Sequence, residues 1–224
     1  MNTDSVLTDL LRCVEFGKVN KTAPFPPYMR GMDGADELTL LALKLGIGPA
    51  EILNDALIRA MEKVGQKFSE KKIFVPQMLM SAKAMSTAMV HLKPFFQSGE
   101  VRRRGKFIIG TVTGDLHDIG KNLVAMIVEG AGWEVIDLGV DVGSGKFIES
   151  LQRNSDAVIG LSALLTTTMH NMKAIVRDIK SEFPAVRMII GGAPVNEQFR
   201  TEIGADGYAS DPQGAVTYLN SLVA

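Results

Sequence analysis

In the first ninety or so positions, apolar residues recur at spacings of three and four. Residues 3–17, 35–46, 49–70 and 76–93 each carry such a stripe, which predicts four helices. In the last of them Met78, Ala82, Met85, Met89 and Leu92 fall on one face at i, i+4, i+7, i+11 and i+14. Pro49 and Pro76 stand where a first helical turn tolerates proline, and Gly46 and Gly48 mark a stop between the second and third stripes. Four helices with short links predict a small bundle. Residues 17–31, with Pro24, Pro26 and Pro27, are too rich in proline for helix and read as an ordered loop or arm.

The pattern breaks at 97–105, where a short polar and basic run (SGEVRRRG) suits an interdomain linker rather than a nucleic-acid site. Beyond it the period alternates. Apolar runs at 106–112, 134–138, 157–162, 187–190 and 207–209 predict strands, and stretches near 119–130, 145–153, 168–182, 195–202 and 213–223 predict helices. Runs such as KFIIGTV and AVIGLSA are apolar on both faces, as strands of a buried parallel sheet must be. The fold class is therefore α/β: an N-terminal four-helix bundle followed by a C-terminal flavodoxin-like (Rossmann-type) doubly wound five-stranded parallel sheet. The expected domains are 1–98 and 99–224.

Composition narrows the function. The 224 residues are enough to bury a core in one large domain or two modest ones. Lys and Arg number 24 against 25 Asp and Glu, so no broad basic surface for nucleic acid is expected. The single cysteine, Cys13, excludes an intrachain disulfide and a multi-cysteine metal cage, which makes a reducing cytoplasm the expected location. No apolar run approaches the ~18–20 residues that span a bilayer, and the N-terminus is acidic where a signal peptide would be basic and apolar; no membrane partner is expected. Of 12 methionines, 8 precede residue 100, whereas most of the 22 glycines follow it.

In an open parallel sheet, ligands bind beyond the carboxyl ends of the strands. After the first strand comes Thr113-Gly114-Asp115-Leu116-His117-Asp118-Ile119-Gly120, where a carboxylate two residues from an imidazole can accept its N–H, fix its tautomer and raise the basicity of the other nitrogen. That arrangement suits a metal-bound histidine, a general base or an ordinary solvated loop. The loop lacks the G-x-G-x-x-G spacing of a dinucleotide site, and no P-loop motif occurs. A zinc hydrolase would need two further good ligands near His117, where only carboxylates are on offer. His91 and His170 fall on helices and read as surface or packing residues. Ser162, Thr166 and Thr168 follow the third strand and Gly191 and Gly192 the fourth, so small residues at adjacent strands open room for a long, thin ligand.

The succession GDLHDIG at 114–120, Ser162-Ala163-Leu164 and Gly191-Gly192 resembles the D-x-H-x-x-G … S-x-L … G-G signature of cobalamin-binding domains. Upstream, KKIFVPQMLMSAKAM at 71–85 is similar to the last helix of the helical cap in methionine synthase and its relatives. Together they cover roughly residues 35–224, and the chain resembles the small corrinoid methyl-carrier proteins of methylamine, methanol and O-demethylase methyltransferase systems. The resemblance implies cobalamin (a cobalt corrinoid) bound base-off with His117 as the lower axial ligand. Asp115 would hydrogen-bond His117, and Thr168 matches a serine that continues this relay. The loop Gly114, Leu116, Asp118, Ile119 and Gly120, with Leu164, would frame the ligand. Ser162 and Thr166 would contact the nucleotide tail, Gly191 and Gly192 would line its channel, and Pro212 matches a further tail contact. The helical cap would cover the upper cobalt face, with Phe68 and Val75 shielding the methyl group; the methionines near them read as bundle core.

The sequence departs from this pattern at Asn54, where methionine synthase has a glutamate that touches the corrin, and in the proline-rich 17–31. The implied activity is a methyl shuttle serving a substrate-specific methyltransferase, an acceptor methyltransferase (tetrahydrofolate or thiol) and a reductive activase, with 97–105 as hinge. Rival readings are the cobalamin subunit of an adenosylcobalamin mutase, disfavoured by the cap, and a cobalamin-dependent sensor, for which no DNA-reading helix pair is evident. A cofactor-free flavodoxin-like signalling domain is a third, one that added cobalamin would not colour.

Overall fold

The apolar stripes of the N-terminal half fold as α1 (Thr3–Phe16), α2 (Ala35–Lys44), the single turn α3 (Pro49–Glu51), α4 (Arg59–Ser69) and α5 (Val75–Gln97) in the computed structural model, which describes residues 3–98 and 102–223. The third stripe is not one regular helix. Between α3 and α4, Ile52–Ile58 is π-helical, and this wider winding lets five of seven residues (Ile52, Leu53, Ala56, Leu57, Ile58) be buried together. They pack against α1, whose Leu10 and Val14 are buried, and α1 packs in turn on α2 and α5, which bury Leu38 and the stripe Met78, Ala82, Met85 and Leu92. Met89, on the same stripe, is only half-buried. Helix α5 outruns its expected end because Pro94 forfeits one backbone bond in the last turn without stopping it.

The proline-rich segment is a packed loop with one 3-10 turn at Pro27–Met29. Lys18 is fully buried and its Nζ donates to Ala23 O at 2.8 Å. Glu37 accepts from the backbone N–H groups of Lys21 and Gly34, both at 2.9 Å, closing the loop onto the start of α2. Four methionines of this half, Met29, Met61, Met78 and Met85, are core residues.

The described chain falls into two compact units, the first running to Arg103 and taking in Gly130–Gly132, the second holding the rest from Arg104 onward. Residues 99–101 of the expected hinge lie outside the described residues. The second unit is a parallel sheet of β1 (Lys106–Thr111), β2 (Glu134–Asp137), β3 (Val158–Ser162), β4 (Met188–Gly191) and β5 (Gly207–Ala209) in the order β2-β1-β3-β4-β5. The crossovers are α6 (Ile119–Gly130), α7 (Ser144–Arg153), α8 (Thr166–Met169) with α9 (Asn171–Glu182), and α10 (Glu197–Ile203); α11 (Pro212–Ser221) follows β5. This is the flavodoxin-like order, and it reverses between β1 and β3, where a crevice must open. The central strands β1, β3 and β4 are buried almost throughout, as their two-sided apolarity requires. The stretch expected as one helix at 168–182 begins earlier and breaks in two. Leu165 O accepts from the N–H groups of both Thr168 and Met169, which winds a first turn from Thr166 before α9 starts at Asn171. Among the described residues no helix is long and apolar enough to cross a membrane.

Candidate functional site

The loop from β1 to α6 turns at Gly114, whose φ of 81° no L side chain adopts cheaply. That turn drives Asp115 inward until its side chain is fully buried, while His117 stays half exposed at the rim, 50 % accessible. Asp115 takes up five donors. Its Oδ1 accepts from His117 N at 3.0 Å and His117 Nδ1 at 2.7 Å. Its Oδ2 accepts from Thr168 Oγ1 at 2.6 Å, Leu164 N at 2.8 Å and Leu165 N at 3.4 Å. Burial pushes the Asp115 carboxyl up, but hydrogen bonds from Thr168, the backbone of His117 and Leu164 and the His117 ring outweigh it and hold it well below the usual carboxylate range. An ionised Asp115 only accepts, so Nδ1 of His117 carries a proton toward it, and Nε2 is the ring nitrogen left for a ligand.

Beside His117 lies a cleft of about 650 Å³ that runs down the carboxyl ends of β1, β3, β4 and β5. Of the residues expected at the site, Leu116, His117, Asp118, Ile119 and Gly120 form one wall, and Ser162, Leu164, Gly191, Gly192 and Pro212 the others. Asp115 and Thr168 sit behind the wall as support, and Gly114 supplies the turn. Thr166 is placed differently from expectation: it is exposed at the first residue of α8 and does not line the cleft. Phe68, partly buried on α4, and Val75, exposed at the start of α5, lie in the helical unit. Asn54 is exposed on the π-helical segment.

The glycines here earn their place by close approach. A Cβ on Gly192, at φ 133°, would meet Ala163 O at 1.8 Å, and one on Gly160 would meet the Phe107 ring at 2.3 Å. A Cβ on Gly120 meets nothing within 4 Å, so that wall is open by the absence of a side chain. Around the mouth Leu116, Ile119, Leu164 and Leu165 are exposed, an apolar rim of the kind that marks a ligand surface.

Several supporting residues escaped the sequence reading. Thr111 Oγ1 donates to His117 O at 2.9 Å, Asn171 Nδ2 to Thr113 O at 2.7 Å, and Asp141 Oδ1 accepts from Gly114 N at 2.7 Å. Lys121, buried in the first turn of α6, pairs with Asp137 at the end of β2 and donates to Asn122 Oδ1 at 2.6 Å. The other two histidines are engaged elsewhere: His91 Nε2 lies 2.6 Å from Asp36 Oδ1, and His170 stacks edge-on against Phe199.

The donor set can be set against the cobalamin that the resemblance implies. Among the described residues no three His, Cys, Asp or Glu side chains gather around a common point, so a metal at His117 Nε2 must bring its remaining ligands with it. A macrocyclic metal complex does so, and one with a long substituent would need a cleft beside the ligating imidazole. Those residues fit cobalamin: His117 to ligate, an apolar rim for the ring and the cleft for the nucleotide tail.

Residues 105–217 match the B12 binding domain family, and residues 32–93 match a second B12 binding domain family. The chain is 36 % identical over 193 residues to the trimethylamine corrinoid protein of Methanosarcina barkeri, covering 84 % of this chain and 89 % of that one. A crystal structure of a novel cobalamin-binding protein from Desulfitobacterium hafniense DCB-2 superposes with a TM-score of 0.72 at 26 % identity, over 100 % of this chain and 99 % of that one. A chain of the methanol:cobalamin methyltransferase complex MtaBC from Methanosarcina barkeri has the same fold, with a TM-score of 0.78 at 24 % identity over 98 % of this chain and 80 % of that one. The chain belongs to the corrinoid proteins, and its α/β unit is a B12-binding domain.

Proposed function

We propose that this protein is a methyl carrier that binds cobalamin base-off with His117 as the lower axial ligand and shuttles a methyl group between two methyltransferases. The observation that carries this reading is the pairing of Asp115 with His117 Nδ1, which leaves Nε2 for a ligand beside a cleft of about 650 Å³, where the displaced nucleotide tail would lie. Bound cobalamin supplies a nucleophilic cobalt that accepts and donates methyl groups. The protein's part is positional and electrostatic. Asp115 keeps the imidazole in the Nδ1–H tautomer and makes Nε2 a stronger donor, and Thr168 keeps Asp115 ionised and fixed. Asp115 would also orient the imidazole toward a bound cobalt by holding its Nδ1 edge at 2.7 Å. Ser162, Gly191, Gly192 and Pro212 leave room for the tail, while Phe68 and Val75 of the helical unit are proposed to shield the reacting methyl group from water.

A likeness to a trimethylamine corrinoid protein supports a methylated amine or similar compound as the ultimate donor. The proposed partners are a substrate-specific methyltransferase, an acceptor methyltransferase using tetrahydrofolate or a thiol, and a reductive activase. Reconstituting the protein with hydroxocobalamin and methylcobalamin tests the axial assignment. The His117→Ala protein should bind with an altered cobalt spectrum and transfer methyl groups poorly; a spectrum identical to wild type would overturn it.

A further inference from the structure

The turn that carries Asp115 and His117 is held from outside by a residue in an uncommon conformation. Asp141, in the loop after β2, has φ 54°, a left-handed geometry that a non-glycine residue adopts at a cost. In that geometry it grips the neighbouring loop at two points. Its carboxylate accepts from Gly114 N at 2.7 Å, and its own N–H donates to Asp115 O at 3.1 Å. The two loops are zipped further by Thr111 N to Gly139 O at 3.0 Å, Val142 N to Thr111 O at 2.9 Å and the Val112–Val142 bridge. Asp141 is exposed, so packing does not explain why the strain is kept.

We infer that Asp141 is a positioning residue: its left-handed backbone and carboxylate together clamp the Gly114–Asp115 turn so that the His117 imidazole is presented before a cofactor arrives. The inference rests on the reading of His117 as axial ligand, but the clamp itself is a property of the chain alone. If His117 hung on a mobile loop, ligand binding would have to order that loop at the expense of affinity. The clamp removes this cost by fastening the turn to the loop that follows β2.

Three variants of the full chain separate the possibilities. Asp141→Asn keeps an acceptor oxygen, Asp141→Ala removes it and keeps the strain, and Asp141→Gly removes both. Amide exchange of the cofactor-free protein is read at His117 N and Asp115 N, whose hydrogen-bond acceptors (Asp115 Oδ1 and Val112 O) Asp141 does not touch. The expected result is exchange at those two amides at least about 10-fold faster in Asp141→Gly and Asp141→Ala, wild-type exchange in Asp141→Asn, and a thermal midpoint for Asp141→Gly no lower than wild type. The cobalt(II) form of the reconstituted proteins is then read by electron paramagnetic resonance, where an axial nitrogen splits the signal. Wild type and Asp141→Asn should show that splitting in full, the other two in part. Unchanged exchange at His117 and Asp115 in Asp141→Gly would overturn the inference. Loss of splitting in wild type would instead overturn the axial assignment, leaving the exchange result to judge the clamp.

Discussion

Thr168 Oγ1 lies 2.6 Å from Asp115 Oδ2, a hydroxyl and a carboxylate both shut away from solvent and drawn together from opposite sides of the β1–β3 crevice. A hydrogen bond to a buried charge contributes more than a neutral one, and removing it leaves the acceptor short of a partner. Thr168→Val keeps the shape and deletes the hydroxyl, so it should cost about 2 kcal/mol in urea unfolding. Thr168→Ser keeps the donor and should stay within about 1 kcal/mol of wild type. A Thr168→Val protein as stable as wild type would mean that the other four donors suffice for Asp115.

The same carboxylate sets a pH dependence. Asp115 is held below its ordinary value of 3.8, so its protons are bound more tightly in the unfolded chain than in the folded one. Its contribution to stability is therefore complete above pH 3.8 and is lost as pH falls through the lower, folded-state value. Asp115→Asn should be destabilised by roughly 3 kcal/mol near neutrality, since the amide cannot take up the donors that surround it. The gap between the two proteins should stay flat down to about pH 5 and narrow only in strong acid, as read from urea midpoints across a pH series.

The parts of this site that were legible from sequence are those set by local chemistry. Asp115 and His117 stand two residues apart between glycines, and that spacing already suggested a carboxylate orienting an imidazole. The two-sided apolar runs showed which segments would be central strands, and the resemblance to cobalamin-binding domains tied the loops together. What could not be read was pairing between loops distant in sequence. Nothing at Asp141 marks a left-handed residue, and its bond to Gly114 exists only because β1 and β2 lie side by side. Thr111 and Asn171 reach the His117 loop from two other elements for the same reason. The short turn α8, which starts at Thr166 and leaves it exposed, was not legible either. The winding of 52–58 was hidden too, since a π-helical stretch carries the same apolar residues as an α-helical one.

Two glycines of the cleft should respond to alanine in opposite ways. Gly192→Ala places a methyl group on the Ala163 carbonyl and demands a φ of 133°, so it should destabilise by at least about 3 kcal/mol or prevent soluble expression. Gly120 lies in the first turns of α6 with free space where its Cβ would be, and alanine there should raise the thermal midpoint, with about 1 kcal/mol gained in helix propensity. Gly120 also lines the cleft, so the added methyl takes up space at its wall. Gly120→Ala should therefore fold better yet retain cobalamin less well on gel filtration. Undiminished retention would show that the tail does not approach this wall.

Cys13 carries a test of the helical unit alone. Its thiol is buried in the bundle, with Sγ 3.5 Å from Asp33 O, and burial, with the nearby Asp9 charge, raises its pKa from 9.0 to about 12. The unfolded chain therefore ionises this thiol where the folded chain does not. Stability linked to Cys13 is complete below pH 9.0 and is lost as pH rises towards 12. Between those limits the loss should approach about 1.4 kcal/mol for each pH unit. In Cys13→Ala the absolute stability falls because a small cavity opens, but the alkaline slope should become shallower by the Cys13 share, leaving the part due to Tyr28 and Tyr218, which burial also raises, and the difference in slope is the quantity to compare. A thiol-specific chromogenic reagent at pH 8 should react slowly with the native protein and fully in denaturant, because the thiolate is the reactive form. Rapid reaction of the native protein would mean that α1 opens from the bundle more often than its buried face, with Leu10 and Val14 fully enclosed, allows.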